Sequence, residues 1–127
     1  MCVKLERNGR ILIPRYTALI KYKLGTQSYE NPMTWGLDLG YGLISNARFE
    51  SIRDGKWKRH GLVRIGELYV DAFYELEQRF VFKQPRPVGV IHNTHIFLLV
   101  TEPAEGVVKE IHHRQPCVHL NILKQIA

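Results

Sequence analysis

No stretch of this sequence stays apolar for anything near the ~20 residues a bilayer-spanning helix needs. The start of the chain also lacks the apolar core of a secretory leader, because Lys4, Glu6, Arg7, Asn8 and Arg10 interrupt it. The expected location is therefore the cytoplasm, with no membrane partner. Cysteine is scarce, with only Cys2 and Cys117 in 127 residues. A reducing compartment argues against their pairing, so a free thiol is expected at Cys2. Acidic residues are in deficit, 12 against 18 Lys plus Arg, which leaves a formal charge of +6. That excess favours polyanionic partners, nucleic acid first among them. Repeats, low-complexity tracts and linkers are absent as well, so residues 1–127 read as one domain.

What is present is strand material. Arg10 to Lys23 is rich in Ile, Tyr and Thr and reads as one or two strands, weakened or placed on an edge by Pro14. Gly25 to Pro32 carries turn chemistry, and Met33 to Leu39 reads as a short strand. Residues 43–52 read as extended or loop, and 62–76 as a long segment with a strand at its centre. Arg79–Lys83 and Pro87–Ile91 read as two strands joined by a turn at Pro85 and Pro87. The apolar run within Thr94–Thr101 predicts a buried strand, and Pro103 a following short helix. A strand over Cys117–Leu120 and a terminal helix complete the expectation: α+β, strand-dominated, with antiparallel pairing and barrel-like closure.

The residue with the most distinctive chemistry is Cys2. Removal of Met1 would leave an N-terminal cysteine with an amine and a thiol two carbons apart. The amine condenses with an aldehyde to an imine, and the tethered thiol closes on it to a thiazolidine. Reference pKa values of about 8 and about 8.5 leave a reactive fraction of each group at neutral pH. The plain alternative is a small buried residue. Four segments accompany it. In Asn46-Ala47-Arg48-Phe49-Glu50, an extended backbone would put Asn46, Arg48 and Glu50 on one face. Asp71 to Glu75 ends an apolar strand in a carboxylate. His112-His113-Arg114-Gln115-Pro116 gathers imidazoles and a guanidinium, and Trp35-Gly36-Leu37 is structural by default. Singly, Glu75 reads equally as a surface residue and His112 as a satisfied core histidine. A basic cluster at Arg53, Lys56, Lys58, Arg59 and Arg64 interleaves with Trp57 and His60, either for phosphate and base contacts or as a solvated loop with Trp57 folded inward.

Met1-Cys2, Trp35-Gly36-Leu37, Asn46-Ala47-Arg48-Phe49-Glu50, Phe73-Tyr74-Glu75 and His112 to Pro116, in this order, resemble the motifs of the SOS-response-associated peptidase (SRAP) family. Thr101 also stands where that family has a strand-end threonine. The resemblance implies an abasic-site sensor. The N-terminal cysteine, Cys2, would form a thiazolidine with the ring-opened deoxyribose of an abasic site in single-stranded DNA. Asn46 would orient it, Glu75 would move protons during imine formation, and His112 would act on the deoxyribose oxygen. Arg48 and Arg114 would clamp phosphates, with Trp35, Tyr41 and Lys4 at the DNA. It further implies self-removal of Met1 and no metal or small-molecule cofactor.

Departures from the pattern are also expected to matter. Val3-Lys4 replaces Gly-Arg, Leu76 replaces a tryptophan, and His113 and Gln115 replace Asp and Met. Relatives continue well beyond this length, so the resemblance is to a compact, diverged member, of a kind suited to a phage or mobile element. Three rival readings stand beside it, one of them a purely structural or interaction protein. Another is a module that binds single-stranded nucleic acid without bonding to it. The last is a zinc site drawn from His92, His95, Cys117 and His119, with His112 and His113 nearby.

Overall fold

In the computed structural model, which describes residues 2–127, one large mixed sheet is built from β1 (Leu5–Arg7), β2 (Arg10–Leu12), β3 (Thr17–Leu24), β4 (Gln27–Trp35), β7 (Asn46–Arg48), β8 (Arg64–Glu75), β9 (Gln78–His92), β10 (Ile96–Pro103) and β11 (Arg114–Pro116). A separate hairpin joins β5 (Leu37–Asp38) to β6 (Leu43–Ile44), and α1 (Phe49–Arg53), α2 (Gly106–Lys109) and α3 (Leu120–Ile126) are short. The class is α+β and strand-dominated, as expected. Among the described residues no helix is long and apolar enough to cross a membrane.

Most pairings are antiparallel, but β10 runs parallel to both β4 and β7, which makes the sheet mixed. The pairings close a ring from β3 through β4, β10, β9 and β8 back to β3. Two seams in it are thin. Lys21↔Glu67 alone joins β3 to β8, and Ile96↔Thr34 with Phe97↔Trp35 joins β10 to β4. The ring is therefore not the uniformly laced antiparallel barrel that the strand pattern suggested.

Prolines account for two further corrections. Residues 27–32 are strand rather than turn; the turn is confined to Gly25 and Thr26, with Gly25 at φ +63°. Pro32 is tolerated because β4 pairs with β3 there and has no second partner until Thr34. Likewise β9 runs through Pro85 and Pro87, because β10 takes up its other edge only from Val90 onward. The chain absorbs the prolines as a register shift opposite Val70–Ala72 instead of turning.

The last strand is Arg114–Pro116, not Cys117–Leu120, since its partners are Thr101 to Pro103. Pro103 ends β10 rather than opening a helix, and α2 begins at Gly106. One buried cluster joins Cys2, Leu5, Trp35, Phe73 and Phe97, and a second joins Ala47, Trp57, Leu98, Cys117 and Leu123. Trp57 is thus core, its indole N–H donating to Ser51 Oγ at 2.8 Å, and it offers no base-stacking face.

Candidate functional site

Local pairing brings the segment after Cys2 against the end of β8. Leu5 pairs with Phe73 and Glu6 with Ala72, and the Tyr74 N–H donates to Lys4 O at 3.1 Å. This registry sets Cys2 beside Glu75. Asn46 arrives by a different route, since β7 lies parallel to β10 with Leu99 opposite Asn46. Its Nδ2 donates to Cys2 O at 2.8 Å across 44 residues of sequence. Asn46 Oδ1 is buried and has no hydrogen-bond partner among the described residues. His112 enters from the loop after α2, with Nδ1 3.6 Å from Glu75 Oε2. Cys2, Asn46, Glu75 and His112 therefore converge.

Burial dominates the electrostatics. Cys2 is fully buried, and loss of water pushes its thiol up to about 12, the neighbouring Glu75 adding to the rise. The sequence expectation of a thiol near its reference value is thereby corrected: the resting group is protonated. Its Sγ–H donates weakly to Lys4 O at 3.5 Å. Glu75 is buried too, not a surface residue, and desolvation raises its pKa although the imidazole of His112 opposes this. The Arg114 backbone N–H donates to His112 Nδ1 at 3.0 Å, so that nitrogen is an acceptor and the neutral ring carries its proton on Nε2. The His113 ring stacks on His112 at 4.5 Å, and burial with the positive groups of His112 and Arg48 lowers its pKa.

Other expected site residues separate. Arg48 is exposed and Tyr41 is 89% exposed at the tip of the β5–β6 hairpin, so both are available to a ligand. Lys4 lies over the Tyr74 ring at 4.8 Å and 3.9 Å from Glu77. Arg114 is buried instead and is not presented as a phosphate clamp. Its guanidinium donates to both Glu50 oxygens at 3.0 and 3.1 Å and to Thr101 O at 2.7 Å. Burial would raise the Glu50 pKa, but the Arg114 hydrogen bonds, a backbone hydrogen bond and the charges of Arg114 and Arg48 together hold the carboxyl below its ordinary value. Glu50 consequently does not share a strand face with Asn46 and Arg48; it lies in the first turn of α1. Trp35 is 1% exposed, with its Nε1–H on Ser45 O at 2.7 Å, and is a core residue rather than a DNA contact.

The histidines weighed for zinc behave differently. His92 is buried, and burial plus the charge of Arg64 lowers its pKa to about 4. Among the described residues the metal-ligating group that assembles is Glu102, Glu105 and His119. Sequence reading missed the two carboxylates, since neither carries a spacing signal with His119. They are already engaged: His119 Nδ1 is 2.8 Å from Glu102 Oε2, and Gln115 Nε2 donates to that same oxygen at 2.8 Å.

Neither a family model nor a curated protein matches this chain. Among solved structures, a phage-related protein from Bordetella bronchiseptica is similar in fold, with a TM-score of 0.64 at 16% identity. The similarity covers 91% of this chain and 75% of that one.

Proposed function

We propose that the chain, once Met1 is removed, is an abasic-site sensor that bonds covalently to single-stranded DNA through Cys2. In this reading the fold is a shortened form of the SRAP domain, spanning residues 1–127. The observation that carries it is the convergence on Cys2 of an amide, a carboxylate and an imidazole from three separate parts of the chain: Asn46 at 2.8 Å from Cys2 O, and Glu75 with His112 at 3.6 Å from each other.

The steps follow from ordinary carbonyl chemistry. Ring opening of the abasic deoxyribose exposes an aldehyde as the anomeric hydroxyl loses its proton to water and the ring oxygen gains one, which the protonated form of His112 can donate from Nε2. The neutral α-amine of Cys2 attacks the aldehyde carbon, and the amine proton moves to oxygen to give a carbinolamine. A protonated carboxyl delivers a proton as water leaves, forming the imine. Glu75 suits this step because burial raises its pKa and enlarges the protonated fraction. The thiol then adds to the imine carbon, its proton passes to nitrogen, and the thiazolidine closes with net loss of one water. No oxidant is required. The raised thiol pKa implies that sulfur attacks after the amine, with Glu75 or His112 relaying its proton to the nitrogen. The same carboxylate and imidazole are the groups available for removing Met1.

Intact-mass measurement tests both requirements. The Met-free protein incubated with a single-stranded oligonucleotide bearing one abasic site is expected to give a denaturation-resistant adduct of summed mass less one water. Cys2→Ala should give no such adduct. Cys2→Ser should yield only a species trapped by borohydride, since its amine forms the imine without the thiol closure. Absence of adduct from the wild type, or equal adduct from Cys2→Ala, rejects the proposal. The complete burial of Cys2 favours a second reading, a module that binds single strands without bonding to them. It predicts equal retention of intact and abasic strands.

A further inference from the structure

A large cavity among the described residues does not touch Cys2. It is a half-open groove of about 690 Å³ between the β3–β4 hairpin, the start of β8 and the end of α3. Gly66 lines it and Glu75 belongs to the other site, so they lie nine residues apart on β8, which is roughly 30 Å of strand. Three features bear on what the groove accepts.

First, it has an aromatic wall. Tyr22 and Tyr29 face each other in the hairpin register and stack at 5.4 Å and 20°. Behind Tyr22 lies the buried imidazole of His92, at 4.6 Å. His92 Nδ1 accepts from the Thr94 N–H at 3.1 Å, which fixes the ring, and the low pKa keeps it neutral. The three rings run from core to surface and end on Tyr29, which is 39% exposed. Second, the floor of the groove is closely packed at Gly66. A Cβ on Gly66 would come within 2.7 Å of Ile20 Cγ2 and 3.1 Å of His92 Cδ2. Third, its rim carries three lysines, Lys21, Lys23 and Lys124, beside Glu30, Glu67 and the C-terminal Ala127. Lys21 pairs with Glu30 at 3.8 Å and Lys124 with Glu67 at 3.0 Å, whereas Lys23 on the rim has no ion pair among the described residues, nor has Arg64, which does not line the groove but is exposed between the lining residues Val63 and Ile65. Lys58, similarly unpaired there, lines an adjoining recess that shares Val63 and Ala127 with the groove.

A planar ring surface bordered by unpaired cations matches a nucleobase attached to a phosphate backbone. We infer that this groove is a second, noncovalent site for single-stranded nucleic acid, with a base stacking on Tyr29 and phosphates on Lys23, Lys58 and Arg64. The basic cluster noted in the sequence contributes here through Lys58 and Arg64, not through Trp57.

The test uses a fluorescent oligothymidylate with no abasic site, so that Cys2 chemistry does not enter. Tyr29→Ala is expected to weaken binding by about tenfold, and Tyr29→Phe to preserve it. A Lys23→Glu/Lys58→Glu double variant, both positions exposed, should lower the slope of log affinity against log salt by at least ~0.7 for each phosphate no longer neutralised. At saturating protein both variants should still form the adduct at wild-type yield if Cys2 is competent. Unchanged affinity and unchanged salt slope in the double variant overturns the inference, whether or not Tyr29→Ala folds. Binding of phosphatidylglycerol vesicles in place of the oligonucleotide overturns it as well.

Discussion

A buried thiol and a buried carboxyl near enough to feel each other's charge make the Cys2 site costly to the fold. The folded-state pKa of Glu75 is raised by burial, so the folded protein holds this proton more tightly than the unfolded chain. The contribution is favourable at low pH and is lost as pH rises through the folded pKa, because the carboxylate must then ionise without water. Glu75→Gln is therefore expected to melt a few degrees above wild type at pH 8 while losing adduct formation, and the difference should vanish near pH 4. Thermal denaturation followed by circular dichroism at the two pH values checks this. A Glu75→Gln protein less stable than wild type at pH 8 would show that its ionic partners outweigh desolvation. The carboxylate and imidazole types were legible in the sequence as Phe73-Tyr74-Glu75 and His112 to Pro116. Their protonation was not, since it depends on neighbours supplied by distant strands.

Arg114 shows what elements decide. By sequence it stands beside His112 and reads as a phosphate contact. In the fold, β11 pairs with β10 and turns Arg114 inward, where it joins Thr101 to Glu50 of α1. The pair ties β11, β10 and α1 together, next to the segment that carries Asn46 and Arg48. Arg114→Ala is expected to cost about 2 kcal/mol, below the ~3–5 kcal/mol of a fully buried pair because Glu50 keeps access to water. Urea denaturation measures that loss. If Arg114 instead gripped a phosphate, its removal would spare stability and flatten the salt dependence of DNA binding. Strand and helix signals around this residue were ambiguous because Glu50 alternates with Asn46 and Arg48 as strand residues do. The helix that removes it from that face is fixed by α1 packing on β10, a contact no local pattern encodes.

For the whole molecule, the formal charge of +6 places both proposed binding surfaces in one positive field. Raising salt from about 50 to about 200 mM should slow adduct formation by weakening the encounter with the strand. The adduct, once formed, should persist at any salt concentration. Time courses read on denaturing gels separate the two: a salt-independent rate would mean that charge does not guide the strand to Cys2.

The sequence by itself determined the strand-dominated class, the cysteine at position two and the residue types grouped with it, because these follow from local composition and from side-chain chemistry. It could not decide which of these residues face one another. Prolines at 32, 85 and 87 read as breaks, yet they sit on strand edges that have no second partner at those points, a property of the assembled sheet. The resemblance put Trp35 and Arg114 at the DNA, and Trp57 read either way; all three are buried, Trp35 and Arg114 because strand pairing chose the side each one faces. The groove at Tyr29 joins β3, β4, β8 and α3, segments separated by up to about a hundred residues of chain, and only tertiary packing brings them to one place.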